Sequence, residues 1–423
     1  MQSKLGAKFW ISMAVFGLMG QVAWVVENMY FNVFIYKMFH ASAAEISAMV
    51  MASAVTAALT TIIMGAVSDK VGRRKAFMSA GYIIWGISII SFAYIKSVFM
   101  TIVMDCVMTY FGSTANDAAY NAWLTDRGDS TNRGRIEGVN SMMPLVAILV
   151  VFGGFMSFDL DTHHAWTVIY YIIGIATTLI GAAGWFMIED APDLKPADES
   201  LGETLIYSFR PSVARENMTL YLGLLNFAIF GISIQVFMPY LLIYYEKTLG
   251  MDNYVLIFAP AIIIAAVITV FYGRLYDSKG FMKSIMPVCL MLMGGYAVLY
   301  FTRTTAPVFI GSLLMMAGYL TGMSIFGAMI RDNIPEGRSG QFQGVRIIGQ
   351  VFVPGLIGPA IGAWILRDAR LITNSDGTAS FIPDRVIWSA AAAVLVILAA
   401  SLYVTLGRTY RKERRTDSGN YIP

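Results

Sequence analysis

The sequence is poor in charge, cysteine and histidine. Asp, Glu, Lys and Arg make up 13% of its 423 residues, about half the ~25% of an average soluble domain. Hydrophobic residues make up 57%. So few charges cannot cover a globule that must hide so much apolar surface, which excludes a soluble enzyme. The same apolar content excludes a disordered or fibrous chain. The two cysteines, Cys106 and Cys289, sit inside apolar runs, where they read as small core residues and not as a disulfide framework. The three histidines, His40, His163 and His164, fall in short polar connections. No zinc-protease, paired-cysteine, nucleophile-elbow, phosphate-loop or dinucleotide-binding motif has a credible context. A metal site or a nucleophile–histidine pair therefore has little to be built from, and neither enzyme activity nor a cofactor is expected. A net charge of +3 gives no argument for nucleic acid.

What is abundant is long apolar sequence. A membrane-spanning helix needs about 20 mostly apolar residues. Twelve such runs occur, near 9–36, 44–67, 76–95, 98–122, 138–158, 166–188, 217–245, 253–276, 284–302, 306–330, 341–366 and 386–407. The first is too long and too aromatic for a signal peptide, although Ala41-Ser42-Ala43 follows it. The expected fold class is an all-α integral membrane protein with twelve transmembrane helices. Lys and Arg set its orientation. With both termini cytoplasmic, 22 of the 30 basic residues fall inside. Lys37, Lys96, Lys247, Arg303, Arg367, Arg370 and Arg385 fall outside, and Arg346 lies within a helix. An odd number of helices would erase this bias.

The longest polar stretch between helices, about 189–215, contains Glu189, Asp190, Pro192 and Pro196 and reads as a linker. Within it, Leu201–Phe209 has the pattern of a short amphipathic surface helix. The expected organisation is a bundle over 1–190, a cytoplasmic linker over 191–215, a second bundle over 216–408 and a tail over 409–423. The Arg408–Arg415 cluster in that tail suits anionic lipid. The two bundles repeat each other. Gly65–Arg73 aligns with Gly273–Phe281 at an offset of 208. Asp126 with Gly134–Val139 aligns with Asp332 and Gly340–Val345 at an offset of 206. Six helices plus six, related in parallel, is how one large transporter class is built.

The segment Gly65-x-x-x-Asp69-Lys70-x-Gly72-Arg73-Arg74-Lys75, between helices 2 and 3, resembles the signature loop of the major facilitator superfamily. More narrowly, the Gly340–Arg346 segment and the Asp126 loop are similar to the glycoside–pentoside–hexuronide, melibiose-permease-like, sugar:cation symporters. The resemblance implies that helices 1, 4, 7 and 10 line a central cavity and that the protein is a monomer. It implies that Asp69 caps the Gly340 end of helix 11 and, by pseudo-symmetry, that Asp277 caps the start of helix 5 near Gly134. A carboxylate at a helix N-terminus offsets the orphan N–H groups and the positive dipole end. Gly65 and Gly273 would let helices approach closely. Gly65, Asp69, Arg73, Gly273, Asp277 and Arg346 are thus the expected gating residues; the alternative for the loops is a plain positive-inside turn. Helix 2 carries Glu45 alone, without the paired aspartates of sodium-coupled melibiose carriers, which argues against sodium coupling by that route.

Charges inside membrane helices are expensive and mark function by default. Glu27 lies midway along helix 1 beside a stripe of Gln21, Trp24, Asn28, Phe31 and Asn32. An aromatic face beside amides and a carboxylate suits a sugar. Helix 7 offers a similar stripe, Asn226, Phe230, Ser233, Phe237, Tyr240 and Tyr244, and helix 10 offers Tyr319. The bland alternative for the aromatics is helix packing. Asp105 shares a face of helix 4 with Thr109, Gly112 and Asn116. A carboxyl group out of water can carry a proton at ordinary pH, so Glu27 and Asp105 are the expected proton-coupling sites. The expected substrate-binding set is Gln21, Trp24, Glu27, Asn28, Asn32, Asn116, Asn226, Phe230, Phe237, Tyr240 and Tyr319. Asp117 and Arg346 admit both structural and functional readings.

The leading expectation is an ion-gradient-driven, proton-coupled importer of a sugar or glycoside in the cell membrane, working by alternating access. The alternative is a drug or metabolite/proton antiporter on the same fold. Such antiporters often carry a Gly-Pro-x-x-Gly-Gly pattern in helix 5, where this chain has Pro144 and a separate Gly153-Gly154.

Overall fold

The computed structural model describes residues 5–128, 132–192, 194, 207–335, 342–374 and 377–406, with the side chains of 133, 134 and 343 excepted. Among these, twelve helices are long and apolar enough to cross a membrane. They are α1 Ala7–Phe39, α2 Ala43–Val71, α3 Arg74–Tyr94, α4 Val98–Arg127, α5 Arg135–Phe155, α6 His163–Met187, α7 Met218–Thr248, α8 Val255–Lys279, α9 Phe281–Phe301, α10 Thr305–Asn333, α11 Gly344–Leu366 and α12 Val386–Val404. A short helix, Pro211–Glu216, precedes α7. The protein is an all-helical, multi-pass membrane protein, as hydrocarbon demands of any chain whose backbone groups must be satisfied within each span. Leu201–Leu205, Gly340 and Arg408–Arg415 lie outside the described residues.

Local chemistry sets the helix ends. Ser42 opens α2 with a capping box: its hydroxyl accepts from the Glu45 N–H at 3.2 Å, and Glu45 Oε2 accepts from the Ser42 N–H at 2.8 Å. This gives Glu45, the one acid expected near the outer end of helix 2, a structural duty. Ser97 and Thr162 cap α4 and α6 in the simpler way. At the other end of α2, Gly72 takes φ +66° and reverses the chain.

The chain divides into two compact units, Met1–Leu205 with Leu371–Phe381, and Ile206–Arg370 with Ile382–Pro423. In the first unit, α3 and α6 cross at very close range. A Cβ added at Gly86 would sit 2.4 Å from the Gly174 carbonyl oxygen, and one at Gly174 would sit 2.6 Å from the Gly86 carbonyl oxygen. Small residues at such crossings let backbones gain contact that lipid cannot supply. Phe31, Phe34, Phe92, Trp166 and Tyr170 form an aromatic cluster between α1, α3 and α6.

The segment between α11 and α12 departs from the expected division at one linker. It forms a hairpin, β1 Leu371–Thr373 and β2 Ala379–Phe381, in antiparallel register with Leu371 opposite Phe381. This hairpin packs with the first unit, not the second. The reason lies at the C-terminal end of α1. The Tyr36 hydroxyl donates to the Phe381 carbonyl at 2.7 Å, and the two rings meet edge to face at 5.3 Å. His40 Nδ1 lies 3.2 Å from Ser380 Oγ and 3.1 Å from Asn374 Nδ2.

In the second unit, Phe237, Tyr296, Trp388 and Tyr244 form one aromatic cluster, and Phe227, Phe230 and Phe326 form another. The Ser233 hydroxyl donates to the Ala391 carbonyl at 2.8 Å and ties α7 to α12.

Candidate coupling and substrate site

Two helices of the first unit change their winding where the polar residues fall. Val26–Tyr30 of α1 and Ser113–Tyr120 of α4 are π-helical turns. Such turns add a residue to one face of a helix and recur at functional sites. The first carries Glu27; the second carries Asn116 and Asp117.

Glu27 is 6% exposed and Asp105 is 2% exposed. Glu27 Oε1 accepts from Ser53 Oγ of α2 at 2.6 Å and from Thr109 Oγ1 of α4 at 2.9 Å. The two hydroxyl oxygens are themselves 2.9 Å apart. The other oxygen, Oε2, has no hydrogen-bond partner among the described residues, and neither does Asp105 Oδ1. Asp105 lies one turn before Thr109 on the same helix and feels the charge of Glu27, while Asp117 acts electrostatically on Glu27. Neither acid has an ion-pair partner among the described residues. The structure therefore brings together the two expected proton sites, and it adds Ser53, which sequence reasoning missed. A single serine in an apolar helix carries no signal that separates it from a packing residue.

Further along α4, Ser113 Oγ donates to Asp117 Oδ2 at 2.9 Å, and the Asn116 amide and the Trp24 indole also donate toward this carboxylate. Asn116 is buried and bonded to the Tyr82 hydroxyl at 3.0 Å, so it positions Asp117 and braces α3. Gln21 and Trp24 are half-buried, and Asn28 is exposed, with its amide on the Trp24 carbonyl. Asn32 is buried and donates to the Asn28 carbonyl. Phe31 leaves the expected stripe for the aromatic core.

The α7 stripe lies inside the second unit. Asn226 donates to the Leu222 carbonyl and to Thr405 Oγ1. Phe230, Phe237 and Tyr240 are each 0% exposed, and the first two belong to the aromatic clusters named above. Tyr319 of α10 is half-buried. In this structure the aromatics of α7 are interior packing, the alternative that the sequence had left open.

Where α2 ends and α3 begins, the charge cluster is centred on Arg74, not Arg73. The Arg74 guanidinium is buried and donates to Asp126 Oδ2 at 2.8 Å, to Ser68 Oγ at 2.8 Å and to Asp69. Arg73 is exposed and stands just before α3. Asp69 thus has a partner within its own unit, and the Gly340 end that it was expected to cap lies outside the described residues. Asp190 accepts from the Lys75 N–H at 2.8 Å in the first turn of α3, where a carboxylate meets the positive helix end. Lys8 pairs with Glu189 at 2.6 Å and holds that carboxyl below its usual range. The first residues of the expected linker are therefore docked on this unit.

The repeat is only partial in chemistry. In the second unit, Tyr276 stands where Ser68 stands in the first and donates to Asp332 at 2.5 Å. Met282 takes the place of Arg74, so no guanidinium occupies the equivalent position. Asp277 is exposed. A Cβ at Gly65 or Gly273 would meet nothing within 4 Å among the described residues. Arg346 is half-buried and donates to Gln350 at 3.1 Å. The side chain of Gln343 lies outside the described residues.

The family model for the Major Facilitator Superfamily matches residues 9–359. The chain is 23% identical to Sugar efflux transporter B of Salmonella typhimurium over 175 residues, 40% of this chain and 44% of that protein. It is also 23% identical to Sugar efflux transporter A of Dickeya chrysanthemi over 140 residues, 33% of this chain and 35% of that protein. It thus spans less than half the length of these curated relatives. Among solved structures, it resembles the nucleoside transporter NupG with a TM-score of 0.71 at 12% identity, covering 94% of this chain and 98% of that one. It also resembles a bacterial homologue of the human lysosomal transporter Spinster, with a TM-score of 0.70 at 17% identity over 97% and 99% of the two chains. The xylose transporter XylE from E. coli gives 0.68 at 12% identity over 94% and 98%. At these identities the likeness is one of fold. With a family model matched over most of its length and twelve helices of spanning length, the chain belongs to the Major Facilitator Superfamily of membrane transporters.

Proposed function

We propose that this transporter moves a sugar or glycoside across the cell membrane in exchange of free energy with a proton, with Glu27 as the carrier and Asp105 as its electrostatic partner. One observation carries the proposal: a buried carboxyl at mid-helix in α1, with one oxygen held by two hydroxyls and, among the described residues, no hydrogen-bond partner on the other oxygen and no ion-pair partner for it or for the second buried acid, Asp105. Such an arrangement has a place for a proton and an electrostatic reason to take one up.

The substrate class is supported by the face of Gln21, Trp24 and Asn28, which offers a flat ring and amides to a sugar. It is supported too by the sugar efflux transporters and the xylose transporter that the chain resembles, and by the likeness of its loops to the melibiose-permease-like branch. Charge placement supports an orientation with both termini cytoplasmic. Uptake with a proton is the leading direction. A second reading, export against proton entry, draws on the sugar efflux transporters among the relatives.

The test is a panel of labelled sugars offered to purified protein in liposomes under an imposed pH gradient, with and without a protonophore. Accumulation that the protonophore and Glu27→Gln both abolish supports uptake. Gradient-driven loss of preloaded sugar supports export. No sugar movement in either direction, with movement of cationic dyes instead, overturns the proposal.

A further inference from the structure

We propose that Ser53 is a positioning residue for the Glu27 carboxyl and passes its protonation state to α2. The inference rests on the reading of Glu27 as the proton carrier. Ser53 Oγ, Thr109 Oγ1 and Glu27 Oε1 form a triangle with sides of 2.6, 2.9 and 2.9 Å. Three contacts share only two hydroxyl hydrogens, so one side of the triangle always lacks a hydrogen. Which side that is depends on the charge of Glu27.

With Glu27 ionised, both hydroxyls point at Oε1, because a hydrogen bond to a carboxylate is roughly twice as strong as one between neutral groups. Oε2 has no partner among the described residues, so an incoming proton binds there without displacing a bond. Oε1 then becomes the carbonyl oxygen of a neutral acid and a weaker acceptor. The Ser53–Thr109 contact, 2.9 Å long with either atom able to donate, now competes for one of the two hydrogens. No covalent bond changes other than the new O–H on Glu27.

The consequence falls on α2. Ser53 is the residue through which this helix grips the carboxyl, whereas Thr109 shares its helix with Asp105. α2 also carries Ser68 and Asp69 at its inner end, both bonded to Arg74. Loading the proton loosens the grip of α2 at Ser53, within the helix, while its C-terminal end stays held by the Arg74 cluster. A sequence offers no hint of this, since the triangle draws one residue from each of three helices.

The experiment is pH-difference infrared spectroscopy of the full-length protein in lipid, following the stretch of protonated carboxyl groups. The part of the signal lost in Glu27→Gln belongs to Glu27. In Ser53→Ala, one donor to the carboxylate is gone. The Glu27 band should then titrate about one pH unit toward alkaline pH, roughly a tenfold change in proton affinity. Thr109→Val should do the same at nearly constant volume. Ser53→Thr keeps a hydroxyl and should restore the wild-type midpoint. A Ser53→Ala band at the wild-type midpoint and frequency overturns the inference, as does a Ser53→Thr shift equal to that of Ser53→Ala. Absence of any Glu27-dependent band in the wild type refutes the carrier reading itself, and so separates the two failures.

Discussion

Arg74 gives the sharpest prediction about what holds the first unit together where α2 meets α3. Its side chain is 5% exposed and satisfies three acceptors, Ser68, Asp69 and Asp126. Arg74→Ala removes the one cation among them and leaves two carboxylates facing each other. Removing one partner of a fully buried pair costs about 3–5 kcal/mol. Here the Asp69 side chain is 45% exposed and that of Asp126 is 22% exposed. Water therefore recovers part of the loss, and that with Asp69 most of all. The expected destabilisation is about 2 kcal/mol, near the lower end for charge-assisted hydrogen bonds. Unfolding of wild type, Arg74→Ala, Asp126→Asn and the double variant in a denaturing mixed-micelle titration measures it. The cycle should give a coupling energy of about 1–2 kcal/mol between Arg74 and Asp126. Arg74→Ala within about 0.5 kcal/mol of wild type, or simple additivity across the cycle, refutes the reasoning.

Three further outcomes follow from particular contacts. Gly174→Val pushes a branched side chain into the Gly86 backbone and should separate α3 from α6, lowering stability by about 2 kcal/mol or more in the same titration. Tyr36→Phe deletes one hydrogen bond to the Phe381 carbonyl, worth about 1 kcal/mol. Hydrogen exchange over residues 371–381 should rise several-fold while the helices stay protected. Tyr276→Phe removes a neutral donor at a half-exposed position, so it should cost less than about 1 kcal/mol and leave the second unit clearly less sensitive than the first is to Arg74→Ala.

The architecture was legible because hydrocarbon imposes it. Twelve long apolar runs, spaced by short polar connections, admit few alternatives, and the repeat at offsets of 208 and 206 divides them into two sixes. Glu27 and Asp105 were legible for the same reason: a carboxyl in an apolar helix stands out. What the sequence hid was pairing between helices. Ser53 looks like any small residue until α2 brings it to Glu27. Arg73 and Arg74 are adjacent and equal in type, and only the turn made by Gly72 decides which one points into the cluster. The α7 stripe shows the converse error. An aromatic face reads equally well as a ligand platform or as packing, and periodicity alone does not say which neighbour it meets. The hairpin was hidden because its eleven residues are ordinary polar loop sequence, and its anchor, Tyr36, lies more than 300 residues earlier.

The central claim is that Glu27 ties proton movement to substrate movement. The direct measurement is substrate-induced proton flux in liposomes, read with a trapped pH indicator, for wild type and Glu27→Gln. The account predicts that a transported sugar moves protons across the membrane in the wild type, and that Glu27→Gln still exchanges sugar down its gradient but moves no protons. Proton flux of wild-type size in Glu27→Gln, at equal sugar exchange, would contradict it.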